Sequence, residues 1–291
     1  MNIGLIKLDG KLVNIALEKI KLYHEQKGDN VKYISELEAV YYDKVYCSSI
    51  FSFTDKSYVR DSWICGGTGF DLSIKLPPEI ENMKPKINVG FTTRGCIRNC
   101  EFCVVPKAEG KIKIVGDIYD FWDGKSKDII LYDNNILALP RHFNHICEQI
   151  KKENLRVDFN QGLDCRLLSE NMCRKLSELR HKEYHFAFDD ISYENQVKSA
   201  IQLLNKHGIR RATWYVLVGF NTDFENDYYR INLLRNKKQN VYVQRYNGIK
   251  LDRVRNELYS WAMQKHIFQA HTFEQYCKIR KCKTGRAGRG V

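Results

Sequence analysis

Apolar and polar residues follow two alternating rhythms along the chain. Residues 2–8 are largely apolar, Asp9-Gly10 turns the chain, and Leu12, Ile15, Ala16 and Ile20 then recur at helical spacing to about Lys27. Gly28-Asp29 ends that helix, and residues 31–34 and 44–48 read as short strands on either side of an acidic loop. Ile64 leads into Cys65-Gly66-Gly67-Thr68-Gly69. This alternation predicts a small Rossmann-like α/β unit over residues 1–76. The glycine cluster does not follow the first strand, so it is no dinucleotide fingerprint; a tight turn where two domains meet is the expectation.

Pro77, Pro78 and Pro85 are three of the five prolines and bracket residues 79–84. Proline removes an amide donor and fixes φ, so 77–85 reads as a linker, poor as helix or central strand. Beyond it, strands are predicted at 87–92, 128–132, 156–159, 184–188, 212–218 and 240–244. Ser169 is a candidate N-cap for a helix carrying Met172, Cys173, Leu176 and Leu179, and Val197, Ala200, Ile201 and Leu204 form a second stripe ended by Gly208. Six strands alternating with helices imply parallel strands joined by crossovers. The expected fold class is therefore α/β: a Rossmann-like unit, then a partial (β/α)6 TIM-type barrel over 86–250, then a helical extension and basic tail over 251–291. Chemistry in such barrels sits at the C-terminal ends of the strands.

The 291 residues are 43% hydrophobic and 28% charged, which excludes global disorder. No apolar run approaches about 18 residues, and the first residues show no secretory leader, so a cytoplasmic protein with no membrane partner is expected. The net charge of +12 is unevenly spread. Residues 1–77 carry ten basic and ten acidic side chains, whereas Lys278, Arg280, Lys281, Lys283, Arg286 and Arg289 close the chain without an acid. An anionic partner is thus expected on the second half, with solubility as the tail's competing role. The pairs Arg210-Arg211 and Lys237-Lys238, with Arg235, precede two predicted strands, at the end of the barrel away from its chemistry, and read as solvated loop charges rather than substrate ligands. Tyr41-Tyr42, Tyr228-Tyr229 and Tyr242 suit base stacking and core packing equally.

Three of the ten cysteines crowd into Thr93-Arg94-Gly95-Cys96-Ile97-Arg98-Asn99-Cys100-Glu101-Phe102-Cys103, directly after the first barrel strand. Thiolates hold iron–sulfur clusters, and three of them leave one iron of a [4Fe–4S] cluster open to a small chelating molecule. Structural zinc normally takes four protein ligands; Cys277 and Cys282 are too widely spaced to complete a site, and Cys47 and Cys65 have no assigned role. Zinc and plain burial remain as alternatives at this point. The eight histidines form no His-Glu-x-x-His pattern, which leaves a hydrolytic zinc site without support.

Cys-x-x-x-Cys-x-x-Cys with an aromatic before the third cysteine, after strand one of a β/α domain, resembles the motif of radical S-adenosylmethionine (radical SAM) enzymes. The resemblance spans about residues 86–246, and the front is similar to the cobalamin-binding-type Rossmann domain preceding that core in one subgroup. Taken whole, the chain is most similar to bacterial and phage-associated radical SAM proteins of unassigned reaction, through segments such as Gly66-Gly67-Thr68-Gly69 and Phe159-Asn160-Gln161-Gly162-Leu163-Asp164.

What the resemblance implies is an enzyme that reductively cleaves S-adenosylmethionine at a [4Fe–4S] cluster, yielding a 5′-deoxyadenosyl radical that abstracts hydrogen from a substrate. It implies Cys96, Cys100 and Cys103 as cluster ligands, Phe102 packed beside the cluster, and a low-potential electron donor of flavodoxin or ferredoxin type. Asp133, Asn134 and Asn135 would grip the methionine amino group, departing from the common Gly-Gly-Glu form, with a turn role as the competing reading. Asn160 and Gln161, beside Asp164 and Arg166, and Asn221 would line the cofactor, and Asp189 and Asp190 would hold ribose hydroxyls or cap a helix. The loop Asp9–Asn14 lacks the lower-ligand histidine of cobalamin users, which argues against cobalamin. A methylthiotransferase is weakened, because only Cys47 and Cys65 precede the core and no terminal RNA-binding barrel is evident. A nucleic acid or nucleotide is the leading substrate expectation, with a peptide or small metabolite, or a non-catalytic metal- or nucleic-acid-binding module, as alternatives.

Overall fold

The computed structural model describes residues 1–280; the remainder of the basic tail and Cys282 lie outside the described residues. The protein is a mixed α/β chain with several parallel sheets, and it divides into two compact units, residues 1–132 and 133–291.

In the first unit, β1 (Asn2–Lys7), α1 (Ile15–Gln26), β2 (Asn30–Tyr33), β3 (Lys44–Ser48) and β4 (Ile64–Gly66) build a wholly parallel sheet of order β2-β1-β3-β4. Side-chain alternation divides its core in two. Ile3, Leu5 and Tyr46 pack with Leu17 and Ile20 of α1 on one face, while Ile6, Val45 and Cys47 pack with Ala39 and Trp63 on the other. Helix α1 starts three residues later than Leu12 because Asn14 caps it. The Asn14 side chain accepts from the Leu17 amide at 3.1 Å and donates to Ser48 Oγ at 2.8 Å.

The glycine cluster does not mark a junction between the units. Gly67 sits at φ +95°, and a Cβ there would strike the Ser49 carbonyl, so the loop lies directly on the exit of β3. The segment expected to be a linker holds a short helix, α2 (Pro78–Glu81), whose Ile80 is buried. Proline at the first helical position loses no bond that the helix could have made.

The first unit continues through β5 (Val89–Gly90), β6 (Thr93–Arg94), α3 (Val105–Ala108), β7 (Lys113–Ile114) and β8 (Asp128–Leu131). Strands β5 and β8 pair in parallel, whereas β6 and β7 form an antiparallel stem that periodicity did not reveal.

The second unit repeats strand and helix: α4 (Pro140–Lys152), β9 (Arg156–Phe159), α5 (Glu170–Glu178), β10 (Arg180–His181), β11 (His185–Ala187), α6 (Glu194–Lys206), β12 (Thr213–Val218), α7 (Phe224–Asn236) and β13 (Asn240–Arg245). Strand β9 pairs in parallel with β10, and β11, β12 and β13 form a parallel three-stranded sheet. Ser169 caps α5 through the Met172 amide. Phe143, Ile146, Ile150, Phe186, Trp214 and Leu234 are fully buried between helices and strands. Three further helices, α8 (Arg253–Ala262), α9 (Lys265–Ala270) and α10 (Phe273–Ile279), gather around Trp261, whose ring centroid lies 4.8 Å from Phe268 and 5.6 Å from Phe273. Arg235 is not a solvated charge: its Nε donates to the Phe268 carbonyl at 2.7 Å. Among the described residues no helix is long and apolar enough to cross a membrane.

The exits of β11 and β12 are joined by one side chain. Arg230 of α7 is fully buried, and all five of its N–H donors are used. They reach the carbonyls of Phe188 (2.9 Å), Asp189 (3.0 Å) and Leu217 (2.8 Å), Asn226 Oδ1 (2.8 Å) and Asp227 Oδ1 (2.7 Å). Truncation strands a buried carboxylate and three carbonyls together, so Arg230→Ala is expected to cost about 3–5 kcal/mol in chemical denaturation. Arg230→Lys keeps the charge but has three donors, and is expected to recover only part of that loss.

Candidate functional site

The cysteine loop is an excursion closed at its base by the β6–β7 stem. Thr92 and Thr93 are fully buried where the chain enters, and the Thr92 carbonyl accepts from the Val115 amide at 2.9 Å where it leaves. Just inside, Gly95 sits at φ +81°, and a Cβ there would stand 2.7 Å from the Gly110 carbonyl oxygen and strike that of Lys111. The Cys96 amide donates to the same Gly110 carbonyl at 3.2 Å, so only glycine lets the two limbs approach this closely.

Glu109 completes the closure. Its Oε2 accepts from the Gly95 amide at 2.8 Å and from Arg94 Nε at 2.9 Å, while the Arg94 guanidinium lies 4.1 Å above the Phe91 ring. Lys75 Nζ adds a tether to the Ala108 carbonyl at 2.7 Å. Glu109 drew no attention in the sequence, where it reads as one more surface acid; its spacing from the glycine becomes informative only once the stem is known.

Within this closed loop Cys96, Cys100 and Cys103 are all half-buried, as is Phe102. The Cys103 amide donates to the Cys100 carbonyl at 3.0 Å, and the Arg98 amide donates to Cys96 Sγ at 3.3 Å. Hydrogen bonds from backbone amides to sulfur are of the kind that orient a ligating cysteine. Residues 94–113 hold Arg94, Arg98, Lys107, Lys111 and Lys113 against Glu101 and Glu109, so the loop is net basic. As a donor set, three thiols within eight residues fit one face of an iron–sulfur cluster. Among the described residues, no group of three or more His, Cys, Asp or Glu side chains stands as a ready-made metal cage.

Residues of the second unit that follow β8, β9 and β11 in the chain form a line of polar groups. Asp133 and Asn135 are buried and Asn134 half-buried. Asn135 does not cap the turn it begins; its Nδ2 donates to Asp164 Oδ2 at 3.2 Å. Asp164 takes Arg166 in a fork, Nε at 2.7 Å and Nη2 at 3.1 Å, and the guanidinium stacks 4.7 Å over Tyr193. The Tyr193 hydroxyl in turn accepts from the Asp189 and Asp190 amides at 2.7 and 3.0 Å. Asp190 caps the following turn through the Ser192 amide at 2.8 Å, and Asp189 Oδ1 accepts from the Leu217 amide at 3.0 Å. The structure thus joins the segments bearing Asn135, Asp164, Asp189 and Asp190.

It does not draw in the remaining candidates in the same way. Asn160 contributes its carbonyl, which accepts from the Tyr215 hydroxyl at 2.6 Å, while Gln161 and Asn221 are exposed. Tyr193, the central link, was missed because a tyrosine after an acidic pair looks like ordinary packing. His142 and His145 stand with ring centroids 6.4 Å apart, and His145 Nε2 meets Gln149 Nε2 at 3.0 Å.

Burial pushes the Asp189 carboxyl up to about 6, against the Leu217 amide and the Arg230 charge, which pull it down. The folded state therefore holds this proton more tightly than the unfolded chain, whose carboxyl titrates near 3.8. Stability from this group is complete below 3.8 and is lost as pH rises to about 6. Denaturation measured across that window is expected to show this fall in wild type, and Asp189→Asn, which keeps an acceptor for Leu217, is expected to remove it. A Gly95→Ala substitution is expected to cost about 1–3 kcal/mol and to expose the 95–112 loop to limited proteolysis.

Comparison with protein-family models gives no match, and no curated protein matches the chain.

Proposed function

We propose that the protein is a radical S-adenosylmethionine enzyme, with Cys96, Cys100 and Cys103 as the ligands of one [4Fe–4S] cluster. The observation that carries this reading is the three-thiol loop itself, which follows a strand of a parallel pair and is pinched shut by Gly95 and Glu109. A loop closed at its base keeps the thiols within one short span and limits the entropy lost when they gather on a metal. The bound cluster would supply an open iron for S-adenosylmethionine and the electron that cleaves it to a 5′-deoxyadenosyl radical.

The chain's own residues would position and shield. Phe102, half-buried beside Cys103, supplies an apolar wall. Asp133, Asn134 and Asn135 are assigned to the methionine amino group. Asn160, Gln161 and Asn221 are assigned to the remaining cofactor contacts, with Asp189 and Asp190 on ribose. Of the last two, each holds one backbone amide, Asp189 that of Leu217 and Asp190 that of Ser192, and Asp190 is the exposed one.

The finer fold reading belongs to the same proposal: a Rossmann-like front and a partial (β/α)6 barrel. The order β2-β1-β3-β4 matches the beginning of the flavodoxin-like doubly wound arrangement, and the successive parallel strands of residues 86–250 suit the barrel. Cobalamin is not part of this reading, because the first loop, Asp9–Asn14, carries no histidine. Burial pushes the Asp9 carboxyl up, but bonds from Thr54, Ile50, Ser49 and Phe51 outweigh this and hold it below the usual range, so the first loop is occupied with its own closure. An electron donor of flavodoxin or ferredoxin type and an anionic substrate, nucleic acid or nucleotide, complete the reading.

Anaerobically reconstituted protein with a reductant is expected to convert S-adenosylmethionine to 5′-deoxyadenosine, measured by chromatography. The triple Cys→Ala variant at 96, 100 and 103 is expected to lose at least a hundredfold, about 2.7 kcal/mol in barrier terms. Equal turnover by that variant would refute the assignment.

A further inference from the structure

The strands of the second unit are parallel, so the residues preceding them share one edge, at the opposite end of the sheet from Asp189. His185, Thr213 and Asn240 stand in register across β11, β12 and β13. Just before that row come Lys182, the pair Arg210-Arg211 and the pair Lys237-Lys238, all exposed. Residues 209–213, 236–240 and 264–271 contain no acid. Glu183 is the nearby carboxylate, and it is half-buried and held by Lys265 Nζ at 2.9 Å and Asn240 Nδ2 at 3.1 Å. The positive charge of the two pairs is therefore left facing solvent.

These basic residues are not on loose loops. Gln239 is 2% exposed, and its Nε2 donates to the carbonyls of Arg210 (3.1 Å) and Lys237 (3.0 Å). Its Oε1 accepts from the Ala212 amide at 2.9 Å, and its own carbonyl accepts from Gln269 of α9 at 2.6 Å. Arg211 Nε adds a bond to the Lys238 carbonyl at 3.2 Å. One buried amide thus fastens both basic pairs and α9 together. Between them opens a hollow of about 400 Å³ lined by Arg211, Asn240, Lys265, His266, Gln269 and Ala270.

We propose that this edge is a docking site for a polynucleotide backbone, with the hollow receiving one phosphate between Arg211 and His266. Neighbouring strands lie about 4.8 Å apart, so Arg211 and Lys238, each two residues before the paired Thr213 and Asn240, stand side by side, and Lys182, three residues before His185, extends the row with a one-residue offset. The Arg211 guanidinium and the His266 imidazole give the hollow two donor groups for an anion, while the Asn240 and Gln269 amides that also line it are engaged with Glu183 and the Gln239 carbonyl. An acidic peptide offers planar, irregularly spaced carboxylates, which this continuous row matches less well. The site names the surface by which the nucleic-acid substrate of the proposed reaction is held. It makes no use of the cysteine loop, and it anchors the polymer without touching the chemistry.

The test is fluorescence anisotropy with a labelled single-stranded RNA of about 20 nucleotides, on the full chain without reconstitution. Binding is expected to weaken at least tenfold in Arg211→Glu/Lys238→Glu, with the slope of log affinity against log salt shallower by about 1.5. Thermal melting is expected to fall by no more than a few degrees, because both side chains are exposed and only the Arg211 Nε bond to the Lys238 carbonyl is lost; should the double reversal misfold, Arg211→Gln/Lys238→Gln is expected to show a smaller loss of binding in the same direction. Undiminished binding in the folded variant would overturn the site and assign affinity to the tail. Equal competition by polyglutamate of matched charge would overturn the choice of polynucleotide. Cleavage of S-adenosylmethionine without substrate is expected to be identical in wild type and variant, so a failure here and a failure of the cluster assignment are read separately.

Discussion

A parallel sheet ends every strand with carbonyls that its neighbours no longer satisfy, and in the second unit one guanidinium answers that demand. Arg230 collects carbonyls from the exits of β11 and β12, and the buried carboxylate of Asp227 balances its charge. Fixing those exits fixes the backbone of Phe188 and Asp189. From there the Asp189 and Asp190 amides hold the Tyr193 hydroxyl, Tyr193 lies under Arg166, and Arg166 grips Asp164. The polar face that the proposed cofactor contacts depend on is thus built outward from one buried ion pair whose guanidinium has every donor engaged. Burial of Asp227 raises its carboxyl, which is the cost of placing that charge in the interior.

The first unit solves a different problem with similar means. An irregular stretch carrying three thiols is held by closing its base, through a stem of two-residue strands, a glycine at positive φ and a carboxylate received by a backbone amide and an arginine. Closure at the base leaves the reactive stretch free of regular structure while restricting the volume it samples. The two units share the use of a single acid–arginine pair as a clasp: Glu109 with Arg94 in one, Asp227 with Arg230 in the other.

Much of the fold was legible in the sequence because it rests on local rules. Strands at 44–48 and 156–159, the Ser169 cap and the glycine stop at 208 follow from periodicity and capping chemistry, and the structure places them there. The short helix at Pro78 was misread because proline was taken as a breaker, when at a first helical position it is harmless. The β6–β7 stem escaped notice because two-residue strands leave no periodic trace. Glu109, Arg230 and Gln239 were invisible for a deeper reason: each acts on groups distant in the chain, and nothing in its own neighbourhood marks it. The cysteine spacing was plain from the start, whereas its clasp required three dimensions. The even-handed charge of residues 1–77 likewise pointed to the second half, and the order of strands already put the basic pairs at one end; the buried Gln239 that fastens them was not legible.

The central claim is that three cysteines on a clasped loop hold an iron–sulfur cluster. Its most direct measurement is the iron and acid-labile sulfide content of anaerobically purified protein, together with its Mössbauer spectrum. The account predicts about four irons and about four sulfides per chain in a cubane environment. Stoichiometric zinc with neither iron nor sulfide would contradict it.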